Sequence, residues 1–206
     1  MSAIDNALTE PRPGVLPLPE GWIPLAPQDA DPGEWVEGYL DQLEVQPTPI
    51  ARAQLRYGLL SLMEMASGMR PGKRYNYAFV EDPTAGLVRA LLTVQMLRVT
   101  PDAFENYRTR LAETDLGGDI EVINRTVQDV HLVAGRGLVM HDFTLTAQVE
   151  AVPDPALERA ILGLFVADRD VMIEFALYAQ DLAVFEDMVD YLVKIVAVLD
   201  FTGVAQ

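Results

Sequence analysis

The feature that most constrains the fold is a pair of hairpin-like patterns in the second half of the chain. In each pattern, two segments with alternating apolar residues flank a short turn. The segments are Glu121–Val133 with Leu138–Val149, joined at residues 134–137, and Arg159–Val166 with Val171–Tyr178, joined at residues 168–170. Alternation with period two across a short connection is typical of antiparallel strands. We therefore expect an antiparallel sheet at the centre of the fold.

Helical patterns lie on either side of these strands. Asp31 and Pro32 form a typical helix start, and Trp35, Tyr39 and Leu43 follow as an apolar stripe. The other predicted helices are Ile50–Ser67, one starting at Thr100-Pro101-Asp102, and Leu182–Leu199 after the cap Asp181. The other predicted strands are Arg74–Phe79 and Val88–Met96, and the short apolar segment Gly21–Leu25 is a candidate edge strand outside this count. This order predicts an α+β protein: a mostly antiparallel sheet of about six strands with helices packed on its faces.

Prolines mark the N-terminal boundary of the domain. Pro11, Pro13, Pro17 and Pro19 prevent a regular helix and weaken sheet pairing. We therefore predict a Pro-rich extended tail over residues 1–18 and a single α+β domain over residues 19–206.

The sequence shows neither a long apolar segment nor a basic, apolar leader, so we expect a cytoplasmic location without membrane insertion.

The charge of the chain argues against polyanionic partners. Its net charge is −16, distributed as −8 over residues 1–50, +4 over residues 51–110 and −12 over residues 111–206. Nucleic acid and anionic lipid repel an acidic chain, so no nucleic-acid partner is expected. The basic middle, with Arg70, Lys73 and Arg74, either binds an acidic partner or balances its acidic neighbours within the fold.

The residues needed for nucleophilic catalysis are scarce. The chain has no cysteine, which excludes disulfides, thiolate metal sites and a cysteine nucleophile. Its serines, Ser2, Ser61 and Ser67, lie in no Gly-x-Ser-x-Gly elbow. Residues 68–74 resemble a phosphate loop, but the spacing is one residue short and the segment follows a predicted helix instead of a strand. We therefore assign no catalytic residue.

The two histidines, His131 and His141, are the candidates for metal binding. If residues 135–136 form a two-residue turn, His131 faces Met140 and His141 faces Val130, and the two rings point to opposite faces of the sheet. A three-residue turn would place both rings on one face, but two ligands make a poor site. We predict no metal ligands and no cofactor.

Carboxylates are abundant, so their presence proves little. The chain contains 31 Asp and Glu residues. Asp29, Asp31 and Glu34 lie close together but lack the ligand spacing of a calcium loop. A glycosidase-like pair of acids distant in sequence stays open as an alternative.

Five aromatic residues are candidates for binding a partner. They are Trp22, Trp35, Tyr75, Tyr77 and Phe79. Such residues either line an apolar groove that receives a partner or pack in the core.

The two ends of the predicted domain carry a resemblance to a known family. The segment Pro19-Glu20-Gly21-Trp22-Ile23 opens the domain, hairpins fill its middle, and the amphipathic helical segment Asp181–Phe201 closes it. Over about Leu18–Phe201 this arrangement resembles the Mog1/PsbP-like α/β/α sandwich family, including its effector-associated chaperone branch. It is also similar to actinobacterial proteins encoded near specialised secretion systems. The resemblance implies a non-enzymatic binding or chaperone role and supplies no catalytic residues.

Together these observations favour a non-catalytic, cytoplasmic protein-binding module, such as an adaptor or a secretion-associated chaperone. Its partner would be another protein or a second copy of the chain. One alternative is a small-molecule-binding protein or carboxylate-based enzyme whose site is assembled only by the fold. The other is a structural subunit of a homo-oligomer.

Overall fold

Three of the four helices in the described residues begin after a side chain that caps their first N–H groups. The structure, a computed structural model, describes residues 16–27, 29–69, 74–116, 120–146 and 156–199. Its helices are α1 (Pro32–Asp41), α2 (Pro49–Ser67), α3 (Ala103–Ala112) and α4 (Met188–Ala197). The Asp31 carboxylate accepts a hydrogen bond from the Glu34 N–H at 2.8 Å, and the Thr48 hydroxyl accepts one from the Ala51 N–H at 3.2 Å. These bonds fix the starts of α1 and α2.

The strands form an antiparallel sheet, as predicted. They are β1 (Trp22–Pro24), β2 (Arg74–Phe79), β3 (Ala90–Arg98), β4 (Ile120–Leu132), β5 (Gly135–Thr146), β6 (Leu157–Val166) and β7 (Val171–Ala179). Among the described residues, these seven strands make one sheet in the order β1-β2-β3-β7-β6-β5-β4, and every neighbouring pair is antiparallel. The α+β class is confirmed, with one strand more than the expected six.

The chain crosses the sheet once, through α3. After β3 it passes through α3 to the far edge, where β4 begins. From there β4, β5, β6 and β7 return as consecutive neighbours until β7 pairs with β3. β6 and β7 therefore lie at or next to the centre of the sheet, which agrees with the buried side chains on both of their faces.

One face of the sheet is covered by α4, and we call it the α4 face. The buried residues of α4, β6 and β7 that meet there include Met188, Leu192, Val196, Leu162, Leu164, Phe175 and Leu177. Trp22 extends this cluster to the β1 edge, where its Nε1 donates a hydrogen bond to the Tyr191 hydroxyl of α4 at 2.8 Å. Removal of this apolar surface from water holds α4 on the sheet.

The opposite face, which we call the groove face, carries α1 and α2 on one half. Leu40 of α1 and Leu55 and Leu59 of α2 pack with Ala78 of β2 and Leu91 of β3. All five side chains are fully buried. This half of the face is therefore closed by a two-helix layer.

The other half of the groove face carries α3. Phe104, Tyr107 and Leu111 of α3 form a buried cluster with Leu138 and Met140 of β5. The two helical layers thus cover separate halves of the face. Between them, the described residues leave a strip of the sheet open.

The longest of these helices, α2, is amphipathic. Its outer side carries Arg52 and Arg56, which form ion pairs with Glu37 of α1 at 2.9 and 2.8 Å. These pairs lower the pKa of the Glu37 carboxyl, mainly through its hydrogen bond with Arg52.

No helix formed by the described residues combines the length and the hydrophobicity that a bilayer crossing requires.

Two helix predictions were partly wrong. The last helix was predicted over Leu182–Leu199 after the cap Asp181, but α4 begins only at Met188. Asp187 caps it by accepting from the Asp190 N–H at 2.8 Å, while the Asp181 carboxylate accepts from the Ala183 N–H in a separate short turn. Both aspartates make local backbone bonds, and the second one starts the helix.

The stripe predicted for α1 was displaced by one residue. Val36 and Leu40 are the fully buried residues of α1, whereas Trp35, Tyr39 and Leu43 are partly buried at the edge of the same cluster. The aromatic residues are larger, but the smaller aliphatic ones fit between α1 and the sheet.

The predicted N-terminal tail lies mostly outside the described residues, because its residues 1–15 are not among them. Leu16 and Leu18, at the end of that segment, pack against the cluster on the α4 face. The single domain over residues 19–206 stays a prediction.

Candidate ligand-binding groove

An open cavity of about 950 Å³ lies in the middle of the groove face, and we call it the groove. Met65 and Met69 line it on the α2 side, and Arg110 and Leu116 line it on the α3 side. Its floor consists of side chains from β2, β3, β5, β6 and β7. A smaller cavity of about 290 Å³ adjoins it and shares Met65 as a lining residue. The groove exists because α2 and α3 pack on separate halves of the sheet.

Charged residues within otherwise apolar strands occupy this strip. Asp142 lies in β5, Arg159 in β6 and Glu174 in β7. Asp142 is the direct cross-strand partner of Arg159. Because alternate residues of a strand share a face, all three belong to the groove face.

Asp142 lies beneath the floor and binds two arginines. Arg125 donates to it from Nε at 2.7 Å, and Arg159 donates from Nε and Nη2 at 2.8 and 2.7 Å. The exposed fractions of these side chains are 0% for Asp142, 6% for Arg125 and 14% for Arg159. Arg125 lies within the β-bulge of β4 between Ile123 and Thr126, and a bulge of this kind changes the direction of the side chains in the strand. The result is a rigid, charge-assisted triad.

Glu174 organises the other end of the floor. Its carboxylate accepts hydrogen bonds from the Gln95 amide, from the Tyr107 hydroxyl at 2.8 Å and from Nη2 of Arg110 at 3.1 Å. Gln95 in turn accepts a bond from Nε of Arg74 at 3.1 Å. This chain of bonds connects β2, β3, β7 and α3 across the groove.

Two tyrosines of this region are held in the neutral form. Burial, and next the negative charge of Glu174, raise the pKa of Tyr178 to about 12. The same two causes, in the same order, raise the pKa of Tyr107 well above its ordinary value. Both phenols therefore keep their protons at physiological pH, and Tyr107 donates its proton to Glu174.

The groove has more positive than negative groups. The guanidinium groups that line it belong to Arg74, Arg110, Arg125 and Arg159. The carboxylates on or beneath its surface belong to Glu64, Asp142 and Glu174. Among the described residues the local balance is one positive charge, in a chain whose net charge is −16.

Exposed apolar side chains lie at the edges of this region. Leu116 and Ile120, at the α3 side of the groove, are 41% and 43% exposed. Leu87, which lines the adjoining smaller cavity, is 48% exposed. The groove thus combines a charged floor with an apolar rim.

The chemistry of the lining favours binding over proton transfer. No serine, histidine or cysteine occurs among the described residues that line the groove. Asp142 and Glu174 each accept several hydrogen bonds from guanidinium or other donors. Carboxylates engaged in this way hold the arginines in place.

A second cavity, of about 700 Å³, lies on the α4 face beside the start of α4. His141 is 2.8 Å from Glu158 there, measured between Nε2 and Oε1. Within the part of the chain that the structure describes, no three His, Cys, Asp or Glu side chains gather closely enough to hold a metal ion. Gln128 and the acidic residues Glu186, Asp187 and Asp190 also line this cavity. The groove is the stronger candidate site because it is larger and its charged floor is largely buried and fixed by hydrogen bonds.

The two histidines lie on opposite faces of the sheet. The turn between β4 and β5 comprises residues 133–134, so the turn assumed at residues 135–136 was wrong. His131 pairs with Arg136 and His141 with Thr126. The observed strand pairing differs from the expected pairing by an even number of residues, and such a shift leaves each side chain on its face of the sheet. The prediction that the two rings lie on opposite faces is therefore confirmed.

The five aromatic residues predicted for partner binding do not form one surface. Four of them belong to the α4 face, where Trp22 and Tyr77 are buried and Tyr75 and Phe79 are partly buried. Trp35 lies on α1 and stacks on Tyr39 with 5.7 Å between ring centroids. None of the five lines the groove. Their role in binding stays a prediction.

Sequence reasoning missed the residues of the groove floor. Arg125, Asp142, Arg159 and Glu174 were not among the candidates. A usable signal existed for the last three, since each is a charged residue inside a run of apolar strand residues. Such a charge has to be satisfied by another side chain, because burying it alone is costly.

No protein-family model matches this chain, and neither does any curated protein, so the function is argued from the groove itself.

Proposed function

We propose that this protein is a non-catalytic binding module, of the adaptor or chaperone kind, which holds a segment of another protein in the groove. The observation that carries the proposal is the open strip of sheet between α2 and α3, with its charged floor and apolar rim. The cytoplasmic location and an association with secretion are parts of the same proposal.

The dimensions of the groove suit a peptide segment. Its volume of about 950 Å³ lies near the upper end of what ligand sites usually have. The described residues leave it open to solvent, so it can accept a segment of a longer chain. The exposed Leu116 and Ile120 at its edge provide apolar surface for the occupant's side chains.

Two further points support a binding role. The groove lining contains fixed arginines and the neutral Tyr178, and its described residues include no serine, histidine or cysteine. The likeness of the sequence to the Mog1/PsbP-like family, which we propose as the family of this fold, implies the same non-enzymatic class.

Site-specific photocrosslinking in the native host tests the proposal. A benzophenone amino acid at Leu116 or Leu87 should give a discrete covalent adduct with another protein. The same probe at Tyr57, which is 77% exposed on α2 and does not line the groove, should give none. Equal adducts at all three positions, or none at the groove, would contradict the proposal. An adduct of twice the chain mass would indicate self-association instead.

A small-molecule carrier is the second candidate. The triad of Asp142 with Arg125 and Arg159 favours it, because paired guanidiniums suit a compact anionic group. Native mass spectrometry of the protein purified from its host would reveal such a ligand as a bound mass of a few hundred daltons. A bound small molecule together with no protein adduct would replace the first proposal by this one.

A further inference from the structure

We propose that the segment held in the groove is acidic, and that its Asp and Glu carboxylates contact the guanidinium groups of Arg74, Arg110 and Arg159. This inference rests on the proposed function and adds the chemistry of the partner. It commits to a peptide segment of another protein as the occupant.

Beneath the floor of the groove, positive charges outnumber negative ones. Asp142 carries one negative charge, whereas Arg125 and Arg159 together carry two positive charges. The bonds to Asp142 use Nε and Nη2 of both arginines and do not use Nη1. Because a buried charge is costly unless it is paired, this group is completed by one additional anion. Arg159 lines the groove and presents its guanidinium to an occupant.

The arginines at the two sides of the groove are held in place before an occupant arrives. Arg110 bonds to Glu174 at 3.1 Å, and its guanidinium carbon lies 4.7 Å from the centre of the Tyr107 ring. Arg74 is fixed by its bond to Gln95. Side chains that are already ordered lose little conformational entropy on binding, so their contacts contribute more to affinity.

The net charge of −16 does not prevent this recognition. At physiological salt the Debye length is about 8 Å, so distant surface carboxylates are largely screened from an occupant. The guanidiniums of the groove lie within contact distance. A nucleic acid would extend far beyond the groove along an acidic surface, whereas a short acidic segment does not. The local excess of positive charge therefore selects carboxylates on a short chain.

Selection of short random peptides displayed on phage against the full chain tests the inference. We expect the enriched peptides to be richer in Asp and Glu than the starting library. A synthetic peptide from that set should bind about tenfold tighter than its counterpart with Gln and Asn at the acidic positions. Added salt should reduce this difference, because the contacts are between charges.

Substitutions of single arginines test whether the acidic peptide binds in the groove. Arg74→Gln and Arg110→Gln should each weaken binding of the acidic peptide by about two- to fivefold, with little effect on the Gln and Asn counterpart. Arg56→Gln is the matched control, because its side chain is 50% exposed against 46% for Arg110 and its partner is Glu37, outside the groove. It should leave the affinity unchanged. Both test residues lie above the buried triad, so the fold is expected to survive.

The outcomes separate the two proposals. Enriched peptides that are neutral or basic, and that lose binding in a Leu116→Glu variant, would overturn the acidic segment while the binding module stands. Acidic peptides that bind equally to all three arginine variants would also overturn it. A chain that enriches no peptide would overturn both proposals. Stabilisation by succinate without any enriched peptide would do the same and would support the small-molecule carrier.

Discussion

Asp142 is the residue on which the floor of the groove depends. It is fully buried, and it neutralises part of the charge of Arg125 and Arg159. Removing one member of a buried ionic group leaves the others without compensation, which typically costs about 3–5 kcal/mol. We expect Asp142→Asn to lower the free energy of unfolding by an amount in this range, as measured by urea denaturation.

The matched control is Asp129→Asn. Asp129 also pairs with an arginine, Arg108, at 2.7 Å, but both side chains are exposed to solvent. Pairs of this kind contribute little to stability, so the control should stay close to the wild type. Equal losses in the two variants would contradict the role assigned to Asp142.

Because of Tyr178, the free energy of unfolding depends on pH in the alkaline range. Its pKa is raised from 10.0 to about 12, first by burial and then by Glu174. Between these two values the unfolded chain releases the phenolic proton while the folded chain keeps it, so the free energy of unfolding falls as the pH rises. One pKa unit corresponds to about 1.4 kcal/mol, so Tyr178 accounts for a loss of roughly 2–3 kcal/mol across this window.

Urea denaturation at a series of pH values measures this loss. Tyr178→Phe should show a shallower decline above pH 10 than the wild type, since the buried proton no longer contributes. Tyr57→Phe, which removes an exposed hydroxyl, should follow the wild-type curve. A decline in Tyr178→Phe as steep as that of the wild type would refute the assignment.

Among the secondary-structure elements, α3 packs closely on the sheet only because residue 163 of β6 is a glycine. A Cβ on Gly163 of β6 would lie 2.4 Å from a ring carbon of Tyr107. Tyr107 also connects α3 to Glu174, together with Arg110. We expect Gly163→Ala to displace the tyrosine and to lower the free energy of unfolding by about 1–3 kcal/mol. Thermal and urea denaturation would measure this.

A second glycine-to-alanine substitution, Gly38→Ala, should change the free energy of unfolding in the opposite direction. Gly38 lies inside α1, and a Cβ there would meet nothing within 4 Å. Alanine in a helix interior is favoured over glycine by about 0.5–1 kcal/mol. The variant should therefore be more stable than the wild type. Destabilisation by both substitutions would show that the loss in Gly163→Ala does not come specifically from the contact with Tyr107.

The sequence predicted most elements because their signals are local. The β6–β7 hairpin has alternating apolar residues around a short turn, and the caps Asp31 and Thr48 precede proline. The start of α4 was missed because Asp181 and Asp187 are both suitable caps, and only packing on the sheet selects the second. The groove was not predictable for another reason. Its lining comes from six strands and two helical ends that are distant in the chain, and only the tertiary fold brings them together.

At the scale of the whole molecule, one continuous sheet suggests one cooperative unit. Hydrogen-bonded pairs connect β1 to β4 through all intervening strands. The cluster on the α4 face includes residues from β1 to β7. We expect a single thermal transition whose calorimetric enthalpy equals its van't Hoff enthalpy. Two resolved transitions in differential scanning calorimetry would show that the predicted single domain is divided.

The placement of the two tryptophans has a practical consequence. Trp22 lies on the α4 face and bonds to α4, whereas Trp35 lies on α1 over the opposite face. Each side of the sheet therefore carries its own fluorophore. A Trp35→Phe variant emits only from the first environment and a Trp22→Phe variant only from the second. Loosening of either helical layer can thus be followed separately by emission wavelength, without an extrinsic label.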